Sequence, residues 1–84
     1  MSDQGKLIGE VTHCFRKLGV GIIELSGKLQ VGDNIRIVGG GTDFEQKVDS
    51  MEIDRKEVTE AKKGEVVGLK VEDKVREGYK VYKV

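Results

Sequence analysis

Eighty-four residues leave room for one small hydrophobic core and none for a second lobe or a deep, enclosed active site. Fifteen basic and fifteen acidic residues cancel to a formal net charge of zero, which excludes nucleic-acid binding driven by bulk positive charge. The single cysteine, Cys14, excludes an internal disulfide and points to a reducing, cytoplasmic setting.

The chain opens on Met-Ser-Asp-Gln-Gly, with no apolar run and no basic lead, so no signal peptide is expected. Residues 1–5 read as a flexible N-terminus of a single domain covering 1–84. No stretch approaches the ~20 apolar residues of a membrane-spanning helix, so no membrane partner is expected. From Lys6 the period is two. "KLIGEVTHC" (6–14) alternates imperfectly, and "VGIIELS" (20–26) puts Ile23 and Leu25 on one face against Glu24. "DNIRIVG" (33–39) sets Ile35 and Ile37 together, opposite Arg36. Gly39, Gly40 and Gly41 then predict a mobile connection before Phe44. "KVDSMEID" (47–54) places Met51 and Ile53 against Glu52.

"DRKEVTEAKKG" (54–64) holds good helix formers, but Val58 and Ala61 are too few for a buried helical stripe. A loop with at most one helical turn is expected there, ended by Gly64. "EVVGLKV" (65–71) returns to alternation through Val67, Leu69 and Val71, and "YKVYKV" closes the chain. Short β-branched runs bounded by Gly or Asp predict an all-β fold. The expected architecture is a small six- to seven-stranded, closed or nearly closed antiparallel barrel, since closure removes exposed edges.

Chemistry is sparse. "GIIELSGKL" (21–29) misses a phosphate loop: five residues separate its glycines, and Leu29 stands where a hydroxyl is needed. No nucleotide and no cofactor are expected. His13 and Cys14 are strand neighbours, so they point to opposite faces and make no dyad. No metal site is expected, because no carboxylates stand at a ligand spacing around them. The pairs Glu57 with Glu60 and Asp49 with Glu52 read as solvated carboxylates. No catalytic residue emerges, and the chain is not expected to be an enzyme. Phe15, followed by Arg16 and Lys17, is the best local candidate for base stacking beside positive charge. Its plainer reading is a loop anchored by one buried ring.

Three stretches carry a resemblance: "SGKLQVGDNIRIVG" (26–39), "MEIDRKEVTEAKKGEVVGLKV" (51–71) and "VREGYKVYKV" (75–84). Together they resemble domain II of the translational GTPases, the β-barrel that follows the GTP-binding domain in elongation factor Tu. "GEVTHCFRKLGVGIIEL" (9–25) and "TDFEQKVDSMEIDRK" (42–56) are more similar to short, free-standing translation-factor-like proteins. A similar barrel forms a C-terminal appendage of collagenase-like peptidases, some relatives of which act in tRNA modification.

The resemblance implies that Glu60 matches the family glutamate at the terminal adenosine of aminoacyl-tRNA. Arg55 and Lys56 match the preceding Arg-Lys pair. Lys62, Lys63, Arg16 and Lys17 would add basic contacts. The family's P-loop and Asn-Lys-x-Asp are absent from this sequence. "GIIEL" replaces an RNA-facing Ala-Thr-Gly-Arg stretch, and Tyr79 replaces a small polar residue, which is expected to alter one turn and not the fold. The implied function is a non-catalytic, translation-factor-like module that contacts tRNA, the ribosome or a translation-related protein. The alternative is a protein-interaction module that docks on an enzyme related to collagenase-like peptidases or to tRNA modification.

Overall fold

Alternating apolar residues fold into strands because each strand then turns one wet and one dry face. A computed structural model describes residues 5–84; residues 1–4 of the expected flexible N-terminus lie outside the described residues. Ten strands follow in order: β1 (Lys6–Phe15), β2 (Val20–Leu25), β3 (Leu29–Gln30), β4 (Asn34–Gly39), β5 (Thr42–Lys47), β6 (Met51–Ile53), β7 (Lys56–Val58), β8 (Glu60–Ala61), β9 (Val66–Lys70) and β10 (Lys80–Lys83). Eight form one sheet in the order β5-β4-β10-β1-β2-β9-β6-β7, and β3 pairs with β8 in a second. The paired strands run antiparallel. No helix occurs among the described residues.

The all-β expectation holds, with two corrections. The strands number ten, not six or seven, and the ladder does not close into a barrel: β5 and β7 are left as its two ends. The additional strands are those without an apolar alternation. β5 reads Thr-Asp-Phe-Glu-Gln-Lys, and its one fully inward residue is the polar Gln46. Its hairpin with β4 is turned by Gly40 and Gly41, with Gly39 opposite Thr42, so the glycine run is a tight turn and not a mobile connection. Gly41 takes φ +92°, a region that residues with a Cβ rarely visit.

The stretch 54–64 forms strands instead of a loop with a helical turn. Asp54 (φ 53°) and Arg55 (φ 65°) both adopt left-handed backbone and link β6 to β7 in two residues. That conformation matches the right-handed twist of the flanking strands, and it pairs Met51 with Val58 and Ile53 with Lys56. Tyr79 lays its ring on the bare Cα of Gly39, where a Cβ would overlap it. The larger residue is accommodated because its neighbour has no side chain.

The core gathers inward residues from both sheets. Ile8, Val11, Ile23, Leu25, Leu29, Ile35, Ile37, Met51, Ala61, Val67, Leu69 and Val81 are buried, joined by Val48 and Val75 from the connections. Ile53 and Val71, expected inside, are only partly buried against this cluster. Beyond β5 the backbone ladder stops, and Gln46 continues it with a side chain. Its Nε2 donates to the Lys70 carbonyl at 2.8 Å, and its Oε1 accepts from the Glu72 N–H at 2.8 Å.

Candidate functional site

The residues implied by resemblance are distributed over several elements. Arg55 occupies the β6–β7 turn, and Lys56 begins β7 at an end of the large sheet. Glu60 lies on β8 in the separate two-stranded ladder, opposite Gln30. Lys62 and Lys63 follow in the turn to β9, where the Lys62 N–H donates to Glu65 Oε1 at 2.7 Å. Among the described residues, none of the ion pairs involves Arg55, Lys56 or Lys63.

Glu60 is engaged by its own chain. Lys28 Nζ sits 2.8 Å from its Oε2, and Gln30 Nε2 donates to the same oxygen at 3.3 Å. The Lys28 hydrogen bond first, then that from Gln30, holds the Glu60 carboxyl below the usual carboxylate range. The same contact raises Lys28 above the usual lysine value. A carboxyl whose folded-state pKa is lowered adds stability above its unfolded value, and that stability is lost as pH falls through the folded value. The expected result is a thermal midpoint that drops as pH falls through and below the ordinary glutamate range. Glu60→Gln should flatten part of that drop. Asp43, lowered chiefly by the Arg36 hydrogen bond, keeps the remainder. Melting curves of both proteins across the acid range measure it.

Arg16 and Lys17 lie elsewhere, in the turn between β1 and β2. This turn is closed by Leu18 N–H to the Phe15 carbonyl and Gly19 N–H to the Arg16 carbonyl. Phe15 is not the buried anchor expected of it. It is 45% exposed and meets the His13 ring edge-on, with centroids 4.8 Å apart. His13 Nδ1 is 3.3 Å from Glu77 Oε2, while Cys14 turns the other way and packs against the core. The opposite orientations expected of strand neighbours are thus observed.

Beside this turn runs a groove of about 450 Å³, which the sequence reading missed. Cys14, Phe15 and Val20 form one wall, and Val71 and Val75 of the 71–76 segment form the other. The Val71 N–H donates to the Gly19 carbonyl at 2.9 Å and joins the walls. The available signal was Phe-Arg-Lys-Leu: two large apolar residues in a four-residue charged turn with nothing local to bury them. Leu18 is 68% exposed. No group of three or more metal-ligating side chains occurs among the described residues. Apolar walls with charged edges are suited to binding.

Residues 20–81 match the family described as elongation factor Tu domain 2. Over 76 residues the chain is 47% identical to an uncharacterized protease of Methanocaldococcus jannaschii, covering 89% of this chain and 19% of that protein. Over 82 residues it is 35% identical to a collagenase of Porphyromonas gingivalis, covering 95% of this chain and 23% of the other. The chain therefore spans about a fifth of the length of these curated relatives. Among solved structures, the C-terminal domain of a Geobacillus thermoleovorans U32 peptidase matches with a TM-score of 0.89. That match covers 93% of this chain and 99% of the other at 17% identity, a likeness of fold alone.

Proposed function

This chain belongs to the elongation factor Tu domain 2 family, and from that premise we propose that it is a non-catalytic binding module that docks on an enzyme core of the collagenase-like kind. One observation carries the reading. The similarity covers 89–95% of this chain yet only 19–23% of the M. jannaschii and P. gingivalis relatives. What is shared is one module of a larger protein, and the remaining four fifths of those relatives is the natural counterpart for it. Fold alone does not choose between this role and a role in translation. The relatives tilt the choice toward the enzyme.

The test removes the matching segment from the M. jannaschii protease and titrates this chain onto the remaining core. A stoichiometric complex with a dissociation constant near or below ~1 μM, about 8 kcal/mol of binding, is expected, unchanged by nuclease. Failure to bind the core, together with binding of tRNA, would overturn the reading. Arg55, Lys56, Lys62 and Lys63 would then be the phosphate contacts, and affinity would fall steeply with salt.

A further inference from the structure

The groove beside the β1–β2 turn combines three properties. Its walls are apolar, from Val20, Val71 and Val75. Phe15 and the neighbouring Leu18 are large apolar side chains held out in solvent at the turn. Its edges carry Arg16, Lys74 and Arg76, none of which takes part in an ion pair among the described residues. Isolated exposed apolar residues are ordinary, but apolar residues beside a groove and flanked by unpaired cations mark an interaction surface.

The walls are also fixed in place before anything binds. Gln46 holds the 70–72 backbone through both ends of its amide. Gly19 holds Val71, and Val75 is buried to 4% exposure. A preformed site avoids the ordering cost that would weaken binding. Its volume of about 450 Å³ lies within the range of side-chain and ligand clefts, roughly 300–1,000 Å³.

We propose that this groove is the docking seat for a polypeptide segment of the enzyme core in which an apolar side chain is flanked by carboxylates. The apolar residue enters between Val20 and Val75, and the carboxylates meet Arg16 and Arg76. Charge complementarity selects the acidic flanks. Glu72 and Asp73 on the same wall leave the edge with an excess of one positive charge, and Asp73 is already occupied by the Lys74 N–H. Arginine is well suited to this task, because its planar fork takes a carboxylate through two hydrogen bonds. Phe15 and Leu18 extend the apolar contact beyond the mouth.

The assignment rests on the docking reading above, and its test separates the two. The full chain and three variants are titrated onto the same segment-deleted M. jannaschii core. Phe15→Ser and the double variant Arg16→Glu with Arg76→Glu alter exposed residues of the groove. Lys56→Glu alters an exposed residue on β7. Both groove variants are expected to lose at least tenfold in affinity while Lys56→Glu binds like the unmodified chain. All four should show the same thermal midpoint within a few degrees. Equal binding by all four overturns the groove and leaves docking intact. Loss in Lys56→Glu alone moves the interface to the β6–β7 hairpin and also overturns the groove. No binding by the unmodified chain overturns docking and the groove together.

Discussion

Ile37→Ala is expected to destabilise the fold by about 2–5 kcal/mol, the range for truncating a buried aliphatic side chain. Ile37 is fully buried on β4, between Val81 of β10 and Phe44 of β5. Both neighbours are held by backbone ladders, so the walls of the new cavity cannot collapse inward easily. The cost should therefore include the cavity as well as the lost transfer free energy. Urea unfolding gives the measurement: the midpoint falls while the slope stays constant, because the surface exposed on unfolding hardly changes. Glu52→Ala is the matched control. Glu52 is exposed and faces Glu57 directly across β6 and β7, so its removal deletes a like-charge pair. Its effect should stay within about 0.5 kcal/mol. Small, equal effects at both positions would mean that the register of the β4 face is wrong.

Gln46→Leu should cost about 2–4 kcal/mol, although leucine is close in size and the site is nearly dry. The amide serves two backbone groups, the Lys70 carbonyl and the Glu72 N–H, across the gap where β5 has no strand partner. Leucine leaves both without their protein partner, at roughly 1–2 kcal/mol each, the lower part of the range because both groups belong to exposed residues. Hydrogen exchange gives the more specific readout. Protection of the Glu72 amide should fall by much more than protection of Ile37, because opening at this seam is local. Uniform loss of protection across the sheet would instead mean that Gln46 acts only through global stability.

The elements that could be read directly are those whose evidence is local. Ile23 with Leu25, Ile35 with Ile37, and Val67 with Leu69 lie on the buried faces that their period of two assigned them. β5 and β7 could not be read this way. The inward residue of β5 is polar, and the groups that satisfy it lie 24 and 26 residues further along the chain. The β6–β7 turn uses Asp54 and Arg55 where glycine or asparagine would have announced it.

The candidate sites divide along the same line. Arg55, Lys56, Glu60, Lys62 and Lys63 were visible as a charged stretch with a family resemblance. That Glu60 is already held by Lys28 and Gln30 was not, because those partners come from the other strand of a two-residue ladder. The groove was least legible of all. Its walls come from residues 14–20 and 71–76, brought together only when β2 pairs with β9. The sequence by itself determined the all-β class, the inward faces of the apolar strands and the family, since side-chain alternation and motif identity depend on neighbours in the chain. Tertiary structure alone decided that the ladder stays open, that Gln46 ties β5 to residues 70–72 and that Phe15 lines a groove. Those outcomes depend on which strands become neighbours in space, and that order is set by the packing of the whole sheet.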